Sequence, residues 1–393
     1  MSQYKVLTLN QISPLGLKRF PADRYAVGGD VTEPDAILVR SQNMHEMAIP
    51  ASVKAIGRAG AGTNNIPVKQ MSQRGVPVFN APGANANAVK ELVIAGMLMA
   101  ARNLVPALKF VDGLEGDDAA LHKQVESGKK QFAGIELPNR TLGIIGLGAI
   151  GGLVADAALK LGMKVLGYDP EITVEAAWRL SSQVRKAHSV EEVLKNSDFV
   201  TLHVPLLEMT RNLVNAERIA LMRPGAVLLN FSREGIVDDH AVVAALDGRK
   251  LKSYVCDFPS NALKGHPRVV ALPHLGASTQ EAEDNCAIMV VDQVRDFLEN
   301  GNILNAVNFP NVEMARESAH RIAIANANVP NMVGQISTAM AQFGLNIHNM
   351  VNKSKGEMAY TLVDVDSPVP PGAIDRMAAI PGVLAVRALP AGN

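Results

Sequence analysis

Cysteine is nearly missing from this 393-residue chain, which holds only Cys256 and Cys286. Two such thiols make no disulfide framework and have no metal-ligand spacing, so no metal site is expected. Aromatics are scarce too, at 4% with a single tryptophan, while hydrophobic residues reach 48%. That aliphatic bias suits helices packed on buried parallel strands better than a β-sandwich. An excess of either charge is also lacking, with Lys plus Arg and Asp plus Glu at 38 each. Net charge therefore gives no reason to expect nucleic acid or an anionic membrane as partner, and leaves room only for a local anion site. The longest apolar run, Leu92 to Ala101, is too short to span a bilayer. Met1 to Pro14 lack the basic and apolar regions of a secretory signal. A soluble cytoplasmic protein is the expectation.

What is present is a regular alternation. The length predicts two or three domains. In the first hundred residues, Val6 to Leu9, Ala36 to Val39, Val53 to Ile56 and Val76 to Phe79 read as strands, and Val89 to Leu104 as a buried helix. A second α/β unit follows Pro138, with a strand at Thr141 to Ile145, a helix at Ala149 to Leu161 and a strand at Lys164 to Tyr168. Further strands are predicted at Phe199 to His203, Ala226 to Asn230, Lys252 to Asp257 and Val269 to Leu272. Such alternation predicts a doubly wound parallel sheet. Thr279 to Asn300 reads as one long helix leaving that unit. The tail then runs strand, helix, strand, strand, helix, strand, the ferredoxin-like order. The expected fold class is α/β: a first lobe at 1–103, rejoined near 285–305, a nucleotide lobe at 104–284, and a small domain at 318–393.

The sharpest local signal is G-x-G-x-x-G at Gly146, Gly148 and Gly151, with Ala149 and Ile150 opening the helix. Following a strand and starting a helix, it has the context of a Rossmann-like dinucleotide site. Gly146 permits the tight turn, Gly148 lets a pyrophosphate approach, and Gly151 lets helix and strand pack. Asp169, 23 residues after Gly146 at the next strand's end, suits ribose hydroxyls and would repel a 2′-phosphate. NAD is therefore expected over NADP. Two more segments follow strands: Asn230-Phe-Ser-Arg233-Glu-Gly235 and Pro273-His274-Leu-Gly276. Arginine offers a carboxylate two parallel charge-assisted bonds, and histidine titrates where it can take a hydroxyl proton.

With these motifs the chain resembles the D-isomer-specific 2-hydroxyacid dehydrogenases, and among them the phosphoglycerate-oxidising branch. The likeness runs from about Val39 onward: Val-Arg-Ser at 39–41, Gly-Arg-Ala-Gly-Ala-Gly-Thr-Asn-Asn at 57–65, Asn-Ala-Pro-Gly at 80–83, Tyr-Asp-Pro at 168–170 and His-Val-Pro-Leu at 203–206. It implies hydride transfer from C2 of a D-2-hydroxy acid to NAD, with Arg233 orienting the substrate and His274 as acid/base. By the same likeness Asp257 holds the nicotinamide carboxamide, Phe231, Ser232 and Gly276 lie along the cofactor, and Arg58 reaches a substrate phosphate, helped by Arg40 and Lys90. The family's usual glutamate after that aspartate is absent; the chain reads Asp257-Phe-Pro-Ser-Asn261.

The tail resembles an ACT-type regulatory domain, and by that resemblance Asn328 and Asn346 match residues that grip an amino-acid effector such as serine between paired copies. The resemblance further implies a homodimer or homotetramer and the first step of serine synthesis, oxidation of 3-phospho-D-glycerate. Two other readings stay open: a dehydrogenase of another D-2-hydroxy acid, glycerate or 2-hydroxyglutarate, and a non-catalytic NAD-sensing protein. For the tail, a ligand-free dimerisation module is the competing reading.

Overall fold

Short aliphatic runs build the first sheet: β1 (Tyr4–Leu9), β2 (Tyr25–Gly28), β3 (Ala36–Val39), β4 (Ala55–Arg58) and β5 (Val78–Phe79), with α1 (Pro14–Leu17) and α2 (Val68–Gln73) between them. The order is β2-β1-β3-β4-β5, all neighbours parallel. Every residue of β3 is buried, as a strand covered on both faces requires. The computed structural model describes residues 3–391. They divide into one unit of Met1–Asn85 with Gln280–Asn393 and a second of Ala86–Thr279.

The second unit starts with α3 (Ala86–Ala101), α4 (Leu104–Asp112) and α5 (Asp118–Gly128). It continues as β6 (Thr141–Ile145), α6 (Ala149–Lys160), β7 (Lys164–Tyr168), α7 (Val174–Arg179), β8 (Arg185–Lys186), α8 (Val190–Asn196), β9 (Phe199–Leu202) and α9 (Ala216–Leu221). It ends with β10 (Ala226–Asn230), α10 (Asp239–Asp247), β11 (Leu251–Cys256) and β12 (Val269–Ala271). Thr173, Ser189, Asn215 and Asp238 cap α7 to α10 with side-chain oxygens, which sets where each helix starts. The parallel sheet runs β12-β11-β10-β9-β6-β7-β8, so the winding reverses between β9 and β6, where ligands of such sheets bind. The sequence places α3 in the first lobe; the structure places it here. A Cβ at Gly96 of α3 would lie 3.0 Å from the Phe231 ring and from Val255, so this helix is seated tightly on the ends of β10 and β11. α4 and α5 are additions that the sequence pattern did not single out. α4 buries no residue and leaves Leu104, Leu108 and Val111 exposed.

The first unit resumes with α11 (Gln280–Asn300), then β13 (His320–Ala327), α12 (Met332–Gln342), β14 (Ile347–Lys355), β15 (Met358–Val365), α13 (Pro371–Ala378) and β16 (Val383–Leu389). These strands form an antiparallel sheet in the order β14-β15-β13-β16, with α12 and α13 covering one face. Alternate residues serve opposite faces. Ile322 and Ile324 pack under the helices, while Ala323, Ala325 and Tyr360 join Val294, Phe297 and Leu298 of α11 in the core shared with β1 and β3. Fully buried Arg321 adds a clasp: it pairs bidentately with Asp364 at 2.6 and 2.9 Å and donates to the carbonyls of Asn300, Met314 and Ala315. The tail, expected as a separate domain, thus shares its core with the first lobe. Among the described residues no single helix is long and apolar enough to cross a membrane.

Candidate functional site

The glycine loop follows from backbone geometry. Gly146 has φ +92, and a Cβ there would strike the His203 carbonyl, while one on Gly151 would strike the Gly146 carbonyl. A Cβ on Gly148 would meet nothing within 4 Å, which leaves an open approach beside the exposed Ala149 and half-buried Ile150. The first amides of α6 have no acceptor within the helix, and its dipole favours an anion there. Asp169 closes the loop: Oδ2 accepts from Leu147 N at 2.8 Å and Oδ1 from Glu171 N at 3.0 Å. A carboxylate has about four acceptor positions, so capacity remains for hydroxyls. These residues fit a dinucleotide.

At the end of β10, Asn230 organises the arginine loop. Its Oδ1 accepts from Ser232 N at 3.1 Å and its Nδ2 donates to the Arg233 carbonyl at 3.0 Å. Ser232 Oγ donates to the Leu202 carbonyl, and Arg233 is exposed. Phe231, expected along the cofactor, is 5% exposed with its ring packed under α3, so its backbone is the part left to face a ligand.

His274 has φ +53, in the left-handed region uncommon for a side-chain residue, and it is exposed. Its conformation is held by Asp257, which is fully buried. The Asp257 carbonyl accepts from His274 N at 3.1 Å, Oδ1 from Leu275 N at 2.7 Å, and Oδ2 from Gly276 N at 2.9 Å. Asp257 and Gly276, expected along the cofactor, are bonded to one another and fix the histidine loop. The Phe258 ring lies 5.0 Å from the imidazole, tilted by 54°.

In the other unit, Val39 of β3 pairs with Arg58 of β4, so Arg40 and Arg58 stand at neighbouring strand ends. Gly60 lies beside Arg58 at φ +150, a conformation that favours glycine, and a Cβ there would displace the Arg58 guanidinium. Arg40 Nη2 meets Glu283 Oε1 of α11 at 2.5 Å. Burial pushes the nearby Cys286 thiol up, against the pull of Arg58 and Arg40. Lys90 belongs to the second unit and lies 3.7 Å from Glu91. Asn328 donates to the Gly356 carbonyl and Asn346 to Asp366. They flank opposite ends of the β13–β15–β14 ladder, which spans eight residue pairs from His320↔Val365 to Ala327↔Met358. That is roughly 25 Å at about 3.3 Å per residue, so one chain does not bring them together.

Residues 94–276 match the family described as D-isomer specific 2-hydroxyacid dehydrogenase, NAD binding domain. Over 348 residues the chain is 34% identical to D-3-phosphoglycerate dehydrogenase of Escherichia coli strain K12, covering 85% of this chain and 81% of that one. The chain belongs to the D-isomer specific 2-hydroxyacid dehydrogenase family. It is 37% identical over 293 residues to D-3-phosphoglycerate dehydrogenase of Methanocaldococcus jannaschii, covering 72% of this chain and 53% of that one, so it spans about half the length of that curated relative. Among solved structures it resembles NAD+-bound 3-phosphoglycerate dehydrogenase of Entamoeba histolytica, with TM-score 0.59, 26% identity, and coverage of 78% of this chain and 99% of that one. The glycine loop and Asp169 suit NAD, the cofactor for which the family's domain is described.

Sequence reasoning did not nominate Asn230, Phe258 or Glu283. Asn230 carried one signal, a polar amide at the buried end of a hydrophobic strand. Phe258 and Glu283 acquire their roles only through contacts across loops.

Proposed function

We propose that this protein oxidises 3-phospho-D-glycerate to 3-phosphohydroxypyruvate with NAD, the entry step of serine synthesis. The observation that carries this reading is the placement of two arginines, Arg40 and Arg58, at neighbouring ends of β3 and β4. Arginines so placed suit a phosphate, which accepts paired charge-assisted bonds. The relatives named D-3-phosphoglycerate dehydrogenase support it.

NAD, when bound, supplies the hydride acceptor. The protein does the rest. Amides of Ala149, Ile150 and Gly151 at the start of α6 hold the pyrophosphate, and Asp169 takes the ribose. Arg233, exposed on its Asn230-braced loop, holds the substrate carboxylate and keeps the C2 oxygen polarised. His274 takes the C2 hydroxyl proton on oxidation and returns it on reduction, a role that contributes about 10²–10⁴ in rate. Arg58 and Arg40 bind the phosphate.

The exposed apolar stripe of α4 supports pairing of two copies through the nucleotide unit. The separation of Asn328 and Asn346 supports an effector such as serine held between two copies, one asparagine from each.

The test follows absorbance at 340 nm with NADH and 3-phosphohydroxypyruvate, beside hydroxypyruvate, 2-oxoglutarate and pyruvate. Strong preference for the phosphorylated acid, lost in Arg58→Ala, supports the reading; equal turnover of an unphosphorylated acid overturns it. His274→Gln should lower kcat by about 10²-fold or more. Binding of NADH without turnover of any of these acids would favour the NAD-sensing reading.

A further inference from the structure

We propose that Glu283 sets substrate preference by competing with the substrate's phosphate for Arg40. The inference rests on the phosphate reading above and adds a residue and a mechanism to it.

Arg40 follows β3, and Glu283 lies in the first turn of α11. Their contact is end-on, a single bond from Nη2 to Oε1 at 2.5 Å, with 37% and 33% of the two side chains exposed. Cys286, three residues further along α11, lies within electrostatic reach of Arg58, Arg40 and Glu283. Two arginines at neighbouring strand ends therefore accompany one carboxylate, which is in contact with Arg40.

The charge arithmetic decides what Glu283 does. Before substrate binds, two like charges stand at adjacent strand ends, and Glu283 relieves their repulsion. Once a phosphate of nearly two negative charges arrives, the same carboxylate is a third negative charge in the site. Glu283 thus favours the empty site and opposes the filled one. The end-on geometry leaves the other edge of the Arg40 fork available, so the phosphate can capture it bidentately while the weaker, partly solvated pair yields. An unphosphorylated acid makes no such exchange and is indifferent to Glu283. The residue therefore acts on discrimination between phosphorylated and plain acids, through affinity for one end of the substrate.

Glu283→Gln keeps the shape and removes the charge. In steady-state reduction assays, the KM for hydroxypyruvate divided by the KM for 3-phosphohydroxypyruvate should rise about three- to tenfold. Inorganic phosphate, used as a competitive inhibitor, should bind more tightly by a similar factor. Arg40→Met should lower the KM ratio, and in the double variant the Glu283→Gln gain should vanish. Three results overturn the proposal: a lower ratio in Glu283→Gln, which would make Glu283 a brace for Arg40; an unchanged ratio; or a gain that survives Arg40→Met. The phosphate reading fails on a different result, a wild-type enzyme without preference for the phosphorylated acid, so the two failures are distinct.

Discussion

Asp257 grips His274 and its two successors at once: its carbonyl accepts from His274 N at 3.1 Å, and its two carboxylate oxygens accept from Leu275 and Gly276 at 2.7 and 2.9 Å. A buried carboxylate satisfied by backbone amides is a rigid support, and here it keeps His274 at φ +53. Asp257→Asn would turn one acceptor into a donor facing an N–H. The loop would then shift, and displacement of an acid/base group by about 1 Å costs on the order of 100-fold. We expect kcat to fall by about that factor in the 340 nm assay. A variant within twofold of wild type would show that the clamp has no bearing on the histidine.

Phe258 packs beside His274 and restricts the ring's orientation. Its ring rests 5.0 Å from the imidazole, and such contacts contribute about 0.5–1.5 kcal/mol of orientation. Phe258→Leu should lower kcat about three- to tenfold with little change in KM, and Phe258→Tyr should restore it. Equal losses in both variants would point to general disruption of the loop instead.

Asp169 is tested by one variant read with two cofactors. Its carboxylate holds the glycine loop through Leu147 N, and on the proposed reading its charge repels a 2′-phosphate. Asp169→Ala should weaken NADH binding and shift the NADPH-to-NADH affinity ratio upward by about tenfold. Trp178, the chain's one tryptophan, sits exposed on α7 of the nucleotide unit, so energy transfer to bound NADH reads both affinities. An unchanged ratio would remove Asp169 from cofactor selection.

The legibility of these features differs for physical reasons. Strands such as β3 and β6 are near-continuous aliphatic runs, and Gly146 and Gly151 of the glycine loop leave no room for a side chain, so both are plain in the sequence. The β-α-β-β-α-β order of the tail is equally plain, because each element carries its own period. Unit boundaries are not local. α3 reads the same whether it packs on the first sheet or on Phe231 and Val255, and only the shape around Gly96 decides. Side-chain roles follow the same division. Arg233 and His274 are chosen by their chemistry at strand ends, whereas the burial of Phe231, the clamp of Asp257 and the Arg40–Glu283 pair exist only once the chain is folded.

His203 gives the fold a pH response of predictable sign. Its Nε2 lies 3.0 Å from Thr201 Oγ1, its Nδ1 is buried without a partner among the described residues, and its carbonyl abuts Gly146. Burial pushes the imidazole from 6.5 down to about 3. Between those values the unfolded chain takes up a proton that the folded chain refuses, so its contribution to stability is intact above about pH 6.5 and is lost progressively as pH falls. The slope approaches about 1.4 kcal/mol per pH unit, or about 2 kcal/mol between pH 7 and pH 5. Other titrating groups act alike in wild type and His203→Asn, so the difference between the two isolates this residue. Denaturant unfolding at pH 7, 6 and 5 should show wild type losing about 2 kcal/mol more than the variant over that range. Parallel losses would mean that the folded imidazole reaches solvent and takes up its proton near the usual value.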